Sequence, residues 1–200
     1  MLMRSFRALA VAATLAAVAL ATGIGAAFAT GDDDGDGDRG RRAVAALHDA
    51  EGQRVGLAVF KERRGTVEVS ARVWEATPGF HGFHVHAVGL CEPPFTTAGG
   101  HYNPDNVSHP DHAGDMPTLL VNEDGTGELE FETDRFSLGE LFDADGSSVI
   151  LHAGRDNYAN IPDRYTSSET GTPGPDATTL MNGDAGERAA CGVVERSGRD

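Results

Sequence analysis

The sequence predicts an all-β fold, an eight-stranded antiparallel sandwich or flattened barrel with two long functional loops. Apolar and polar residues alternate with a period of two in several segments, which is typical of strands that bury one face and expose the other. Turn signals rich in Gly, Asp and Asn separate these segments, and no window shows a sustained helical period. Short strands joined by such turns favour a sandwich or a barrel.

Eight segments carry the strand pattern. Residues 66–74 place four apolar side chains on one face, Val67, Val69, Ala71 and Val73. Residues 127–133 set Leu129 and Phe131 against three glutamates. The other six strands are predicted, in chain order, at residues 43–48, 55–60, 83–86, 118–121, 148–152 and 190–194.

Two long stretches without strands, residues 87–117 and 153–188, are rich in Gly, Pro, Asp, Asn and Thr. Loops of this length are usually functional or disordered, and we interpret both as functional loops. The strands and these loops together define a predicted domain at residues 43–195, followed by a flexible tail at 196–200.

Residues 1–29 have the three-part layout of a secretory signal peptide. Two arginines precede an apolar run over residues 8–21, and Ala27-Phe28-Ala29 supplies a small-x-small cleavage site. The alternative is a permanent membrane anchor, but no Lys or Arg follows the apolar run until Arg39. We therefore expect an exported protein, secreted or associated with the cell wall, without stable membrane insertion after cleavage.

Residues 30–42, TGDDDGDGDRGRR, contain no apolar residue and are predicted to be an acidic, disordered linker. They resemble a calcium-binding loop only superficially, because the downstream Glu and the flanking helices are absent. The whole chain carries a net charge of −15, and removal of the signal peptide, which contains two arginines and no acidic residue, makes it more negative. Such a charge excludes nucleic acid as a partner.

Three of the eight histidines lie within the six residues HGFHVH, which begin at His81. Side chains two apart on an extended segment point to the same side, so His84 and His86 project together while Phe83 and Val85 turn into the core. The pair is either half of a transition-metal site or two polar residues on a solvated strand face.

Further metal-ligating side chains follow in the segment GGHYNPDNVSHPDHAGD and at the end of the strand SSVILH: His101, His109, His112, Asp115 and His152. Imidazole suits copper, zinc, iron and nickel, and a carboxylate beside several imidazoles is typical of zinc. The alternative is a scatter of solvent-exposed histidines. The concentration of six histidines at strand ends and in one loop favours metal binding.

Cys91 and Cys191 are the two cysteines of the chain. In an exported protein they are most simply interpreted as one disulfide, which closes a long loop and contributes roughly 4–5 kcal/mol in the chain-entropy model. The alternative is a pair of reactive or metal-bound thiols, which an oxidising compartment and the lack of a CxxC motif disfavour.

Five motifs together resemble those of the copper/zinc superoxide dismutases: GFHGFHVHAVGLC, AGGHYNP, HAGD, VILHAGRDN and GDAGERAACGVV. The resemblance covers residues 43–194, and the segment that begins IPDRYTSSETGTPGPD is similar to the secreted actinobacterial type in particular. It implies a Greek-key arrangement of the strands. It also implies an oxidoreductase that converts two superoxide anions and two protons to dioxygen and hydrogen peroxide by one-electron cycling of copper.

By position, the resemblance implies two metal sites. The copper ligands would be His84, His86, His101 and His152. The zinc ligands would be His101, His109, His112 and Asp115, so that His101 would bridge the two metals. Asp156 matches an aspartate that tethers a copper histidine to a zinc histidine, although an ordinary loop carboxylate is the alternative. His81 matches a structural histidine that is not a ligand, and His48 matches no ligand.

The resemblance also assigns catalytic roles to His101 and Arg188. Arg188 matches the arginine at the mouth of the copper channel, where it would attract superoxide, and Cys91 and Cys191 match the family's disulfide. The alternative for Arg188 is a surface ion pair with Glu187 or Asp184. Because the chain is acidic, its overall negative potential repels superoxide. Positive charge at the mouth of the copper channel must outweigh that repulsion, and Arg155 and Arg164 are candidates to assist Arg188.

A second functional class has the same fold: a noncatalytic, secreted copper/zinc-binding module. Such a module is expected to lack a copper ligand or the channel arginine. This sequence contains all four copper-ligand positions and the channel arginine. A zinc-only or copper-only protein is a third interpretation, which depends on metal supply. The sequence leaves the oligomeric state open, and both a monomer and a homodimer are compatible with it.

Overall fold

All eight predicted strands are present in the computed structural model, which describes residues 41–197. The predicted signal peptide, the linker as far as residue 40 and the last three residues lie outside the described part of the chain. The strands are β1 (Arg42–His48), β2 (Arg54–Arg63), β3 (Thr66–Val73), β4 (Gly79–His81), β5 (Phe83–His86), β6 (Leu119–Val121), β7 (Gly127–Thr133), β8 (Ser148–His152), β9 (Arg188–Val193) and β10 (Glu195–Arg196).

Helical structure in the described residues is limited to three short pieces. These are α1 (Thr179–Asn182) and two 3₁₀ turns, Thr96–Ala98 and Glu140–Phe142. None of the helices between residues 41 and 197 is long and apolar enough to cross a membrane.

The strands form one antiparallel sheet in the order β4-β6-β7-β3-β2-β1-β9-β8-β5, and β10 pairs with β1. β4 and β5 stand at the two ends of this order, yet only Gly82 separates them in the chain. The sheet must therefore curl until its two ends nearly meet, which produces a nearly closed barrel. The predicted fold class is confirmed, with ten strands in place of eight.

The two strands that the sequence pattern did not reveal, β4 and β10, are both short. β4 has three residues and β10 has two, so neither is long enough to show a period-two alternation. β10 lies where the predicted flexible tail begins, and the backbone N–H of Ser197 donates to the carbonyl of Arg42 at 2.9 Å.

The core fills the barrel from the inward faces of the strands. All four predicted inward residues of β3 are at most 2% exposed, and the aromatic rings of Phe60 and Phe83 are fully buried beside them. On β7, Leu129 and Phe131 pack against the core while the three intervening glutamates face solvent. The alternation in the sequence therefore identified the buried faces of these two strands.

β5 and β8 differ from the other strands because both of their faces are buried. They pair with each other, with His84 opposite Ile150 and His86 opposite Ser148. The outer face of this pair is covered by the two long loops, which connect β5 to β6 (the first loop, residues 87–118) and β8 to β9 (the second loop, residues 153–187). This burial excludes the interpretation of His84 and His86 as polar residues on a solvated strand face.

A disulfide between Cys91 and Cys191 joins the first loop to β9. The structure has no free cysteine among the residues it describes. The bridge therefore fixes the beginning of the first loop to the strand on which the second loop ends.

Candidate metal centre

The first loop folds back over β5 and brings its histidines to the two histidines of that strand. The backbone N–H of Val85 donates to the carbonyl of Gly114 at 2.9 Å, and the N–H of Tyr102 donates to the carbonyl of Val85 at 2.8 Å. A Cβ on Gly114 would lie 2.3 Å from the carbonyl oxygen of Val85, so this close approach requires glycine. His86 thereby comes to lie beside His101.

Two groups of four ligand atoms result, and each group could hold one metal ion. In each group the ligand atoms all lie within 4.8 Å of one another. The first group, which we call the four-histidine group, consists of His84, His86, His101 and His152. The second, the three-histidine group, consists of His101, His109, His112 and Asp115. His101 belongs to both, as the resemblance implied.

The four-histidine group presents one unpartnered nitrogen from each ring. His84 Nδ1 and the Nε2 atoms of the other three rings are buried and have no hydrogen-bond partner among the described residues. Leaving a polar atom buried and unpaired costs about 1–3 kcal/mol, so four such atoms aimed at one point indicate a bound ligand. Imidazole nitrogens with free lone pairs are the donors that copper and zinc prefer, and a copper ion fits this group.

Three of these rings are oriented by a hydrogen bond at their other nitrogen. His86 Nδ1 donates to the carbonyl of Gly99 at 3.0 Å, and His152 Nδ1 donates to the carbonyl of Gly186 at 3.1 Å. His84 Nε2 lies 2.8 Å from Asp156 Oδ2. Because an imidazole that donates from one nitrogen keeps a lone pair on the other, these contacts select the tautomers that can coordinate a metal.

In the three-histidine group, the donor atoms surround a single point. The Nδ1 atoms of His101, His109 and His112 lie 2.7, 2.9 and 3.3 Å from carboxylate oxygens of Asp115. His101 Nδ1 and His112 Nδ1 lie 3.3 Å apart. The edge of a tetrahedron around zinc, with ligands at about 2.0–2.1 Å, is about 3.3 Å, which two of these four distances match. Three imidazoles and one carboxylate are a donor set that fits zinc.

Asp156 connects the two groups. Its Oδ2 lies 2.8 Å from His84 Nε2, and its Oδ1 lies 2.8 Å from His109 Nε2 and accepts the backbone N–H of Tyr158 at 2.7 Å. The side chain is 1% exposed. Its position between one ring of each group is unlike that of an ordinary loop carboxylate.

Burial keeps His84, His86 and His152 neutral. It lowers the pKa of His84 to about 4, although the hydrogen bond with Asp156 opposes the shift. Burial and the neighbouring His84 lower the pKa of His152 to about 3, and burial together with His101 holds the pKa of His86 well below its usual value. These rings are therefore uncharged at neutral pH, which is the form that binds metals.

In the three-histidine group, the pKa of His109 is shifted in the opposite direction. Burial disfavours a charge on His109, but the carboxylates of Asp115 and Asp156 outweigh burial and raise the pKa of His109 to about 9. Burial acts to raise the pKa of both carboxyl groups, yet their bonds to the histidines prevail and hold each pKa well below its usual value. A proton on His109 thus offsets part of the negative charge of the two carboxylates. A metal cation bound here would displace that proton.

Arg188, the first residue of β9, holds its guanidinium next to the four-histidine group. Nη1 donates to the carbonyl of Phe95, and Nη2 donates to the carbonyl of Gly99 at 2.6 Å. Burial lowers the pKa of the half-buried Arg188. Among residues 41–197 it has no salt bridge, and the Asp184 carboxylate is instead bonded to Asn157 and Thr179.

The other histidines lie outside the two groups. His81 is buried, and its two ring nitrogens lie 2.7 Å from the carbonyl oxygens of His152 and Thr77, so it binds backbone. His48 is exposed on β1. Of the two arginines considered as assistants to Arg188, Arg155 is exposed, and Arg164 stacks on the ring of Tyr165 at 4.8 Å.

Sequence reasoning missed several groups that position the ligands. Two of them are backbone carbonyls that accept from ring nitrogens: that of Gly99 from His86 and that of Gly186 from His152. A third, the carbonyl of Leu180, accepts the backbone N–H of His109. Tyr158 stacks on His109, with 6.3 Å between ring centroids, and its hydroxyl accepts the backbone N–H of Thr118 at 2.7 Å. No residue pattern reveals which backbone carbonyl a side chain will meet, so these contacts had no signal in the sequence.

The chain is similar in sequence and in fold to known proteins. A family profile described as copper/zinc superoxide dismutase matches residues 54–194. The proteins named superoxide dismutase [Cu-Zn] of Mycobacterium tuberculosis and Mycobacterium bovis are each 42% identical over 158 residues. Those alignments cover 72% of this chain and 66% of each relative, so the chain spans just under two thirds of their length.

More distant relatives and solved structures extend the match. The superoxide dismutase [Cu-Zn] of Brucella abortus is 33% identical, with 75% of this chain and 84% of that protein covered. A double mutant of a SOD-like protein from Bacillus subtilis superposes with a TM-score of 0.61 at 30% identity, covering 75% of this chain and 95% of that one. The clock protein EA4 gives a TM-score of 0.62 at 28% identity, covering 76% and 92%.

Proposed function

The chain belongs to the copper/zinc superoxide dismutase family, and we propose that it converts two superoxide anions and two protons to dioxygen and hydrogen peroxide. The observation that carries the proposal is the four-histidine group. Four buried rings present four unpartnered nitrogens to one point, and Arg188 lies beside them. The reaction needs a redox-active ion at that point and an attraction for a small anion next to it.

We assign copper to the four-histidine group through His84 Nδ1 and the Nε2 atoms of His86, His101 and His152. Zinc is assigned to the three-histidine group through the Nδ1 atoms of His101, His109 and His112 and a carboxylate oxygen of Asp115. When bound, copper supplies one-electron oxidation and reduction, whereas zinc has no redox chemistry and stabilises the site. The orphaned nitrogens of the four-histidine group and the mixed imidazole and carboxylate donors of the three-histidine group support this division.

His101 has the role that depends most on its position. Its Nε2 faces the four-histidine group and its Nδ1 faces Asp115 at 2.7 Å, so each nitrogen serves one group. We assign His101 Nε2 as the atom that takes up and returns a proton between the two half-reactions. Asp156 supports this function indirectly, because it bonds His84 of the four-histidine group and His109 of the three-histidine group and fixes both rings.

Arg188 is assigned the task of attracting and orienting the anion. A guanidinium has five N–H donors, and the bonds to Phe95 and Gly99 engage one donor on each terminal nitrogen. The remaining donors can meet a diatomic anion beside the histidines. The chain has a net charge of −15, so its overall potential repels an anion, and the fixed positive charge of Arg188 supplies a local attraction.

We further propose that the protein is exported through its predicted signal peptide and acts outside the cytoplasm, free or at the cell wall. The Cys91–Cys191 disulfide supports this, because such bonds persist in oxidising compartments. Sedimentation of the exported chain would then distinguish a monomer from a homodimer. Cell fractionation tests the location, and recovery of the chain with residues 1–29 attached in the cytoplasm would contradict it.

The activity is tested by metal analysis together with a xanthine oxidase–cytochrome c assay. The exported chain loaded with both copper and zinc is expected to suppress cytochrome c reduction, and the metal-free chain is the control. The chain loaded with zinc alone should be inactive. A chain that holds both metals and has no activity would contradict the proposal and would instead favour the noncatalytic metal-binding module.

A further inference from the structure

The segment His109-Pro110-Asp111-His112, which we call the HPDH segment, supplies two of the four donors of the three-histidine group within four residues. Its backbone N–H groups are bonded: His109 N–H donates to Leu180, Asp111 N–H donates to Ser108, and His112 N–H donates to Asp115 Oδ2. Pro110 has no N–H. The segment has no spare backbone donor for its own carbonyls, so any protein donor to them must come from outside the segment.

One side chain outside the segment donates to two of its four carbonyls. Arg135 Nη1 donates to the carbonyl of Pro110 at 2.9 Å and to the carbonyl of His112 at 3.2 Å. The carbonyl of His112 also accepts the backbone N–H of Asp115 at 3.1 Å. The guanidinium therefore bonds one carbonyl between the two histidines of the segment and the carbonyl of the second histidine itself.

Arg135 connects the barrel to the HPDH segment. It lies two residues after the end of β7, and its backbone N–H donates to Thr133 Oγ1 at 3.2 Å. The next residue, Phe136, is buried and packs edge-on against Phe60 in the core. The base of the arginine is thus fixed to the barrel while its head is bonded to the HPDH segment.

A charge pair contributes little to this contact. Arg135 Nη2 lies 3.9 Å from Asp111 Oδ1, and the Asp111 side chain is 76% exposed, so solvent screens the interaction. The directed hydrogen bonds to the two carbonyls, rather than the ion pair, are what distinguish Arg135 from other surface arginines.

We propose that Arg135 is a positioning residue for zinc, which holds the HPDH segment so that His109 Nδ1 and His112 Nδ1 converge with Asp115. It does not touch the metal and acts through the two carbonyls. The inference rests on the proposed assignment of zinc to the three-histidine group, and it adds a residue that no ligand motif contains.

The test is zinc affinity, measured by competition with a chelator on the full, disulfide-bonded chain. Arg135→Met keeps the apolar stem and removes the donors, and it should weaken zinc binding roughly 10–100-fold, as loss of a group that orients a ligand does. Asp111→Asn should bind zinc as the parent does, because the carbonyl bonds remain. Arg72→Met is the matched control, since Arg72 is an exposed arginine on β3 paired with Glu128.

Two further readouts separate positioning from general stability. Copper binding to the zinc-free chain should be unchanged in Arg135→Met, and cobalt(II) placed in the zinc site should show a weakened visible absorption, because its intensity reports tetrahedral geometry. Should the Met variant fail to fold, Arg135→Lys serves instead. Its ammonium lacks the guanidinium fork, and a loss of about three- to tenfold in zinc affinity is expected.

The inference is overturned if the folded Arg135 variants bind zinc as tightly as the parent, or if they lose copper and zinc affinity equally. The parent chain itself separates this failure from that of the assignment. A parent that does not bind zinc at the three-histidine group refutes the assignment, whereas a parent that binds zinc alongside unaffected variants refutes only the role of Arg135.

Discussion

His86 and Arg188 share one hydrogen-bond acceptor, the carbonyl oxygen of Gly99. His86 Nδ1 donates to it at 3.0 Å and Arg188 Nη2 at 2.6 Å. A ligand of the four-histidine group and the group that attracts the anion are therefore fixed to the same atom. A displacement of the first loop at Gly99 would therefore disturb both contacts.

Replacement of Arg188 tests the role of its charge. Arg188→Ile should lower kcat/KM about tenfold or more and flatten its dependence on ionic strength, because the fixed charge that attracts the anion is gone. Stopped-flow rates of superoxide decay over a salt series measure both effects. Arg72→Met, which removes an arginine far from the loops, is the control. A variant whose salt profile matches that of the parent would remove Arg188 from this role.

Gly183 is predicted to be essential for the contact between Asp156 and His109. Its φ is +62°, and a Cβ there would lie 2.0 Å from Asp156 Oδ1 and 2.5 Å from His109 Nε2. Gly183→Ala should displace the carboxylate and weaken zinc binding roughly 10–100-fold. Chelator competition measures the loss.

Gly171→Ala is the matched control for this change. Gly171 has a φ of +71°, but no atom lies within 4 Å of the position that an added methyl group would take, so the substitution imposes the same backbone strain without the contact. Equal zinc affinities in the two variants would show that the clash at Gly183 has no consequence.

The disulfide is expected to stabilise both the fold and the site. Removal of both sulfurs by Cys91→Ser with Cys191→Ser should lower the free energy of unfolding by about 2–5 kcal/mol, because the bridge closes a loop with a sequence separation of 100. It should also lower kcat/KM, since the carbonyls of Phe95 and Gly99 that hold Arg188 lie in the loop that the bridge fixes. Urea unfolding curves and the superoxide assay measure these effects.

Two results would contradict that expectation. An unchanged urea midpoint would show that loop closure is unimportant here. Full activity in the folded double variant would show that the first loop holds Arg188 without the bridge.

The fold was predictable from the sequence where strands are long enough to show an alternation of apolar and polar residues. β3 shows its buried face directly in Val67 and Val69, whereas the three residues of β4 show nothing. β2 was predicted to stop at Phe60 but continues to Arg63, because its ladder with β3 persists through polar residues. Backbone pairing extends a strand beyond its apolar pattern, and pattern reasoning does not detect it.

The grouping of the candidate ligands was predictable from the sequence, and the contacts that hold them were not. Histidines at strand ends and in one loop have a recognisable spacing, and the structure brings all of the proposed ligands together in two groups. The contacts of Arg135 and the carbonyl of Gly99 depend on how the first loop lies over the barrel. That arrangement is a property of the tertiary structure, so the sequence around Arg135 resembles any polar segment after a strand.

The central claim is that the ring of His101 joins two different metals. The most direct test is a crystal structure of the fully loaded chain with anomalous scattering recorded at the copper and zinc edges. We predict a copper peak among His84, His86, His101 and His152 and a zinc peak among His101, His109, His112 and Asp115. Each zinc–ligand distance should be about 2.0–2.2 Å. A single metal peak, or a His101 ring that contacts only one of two ions, would contradict the account.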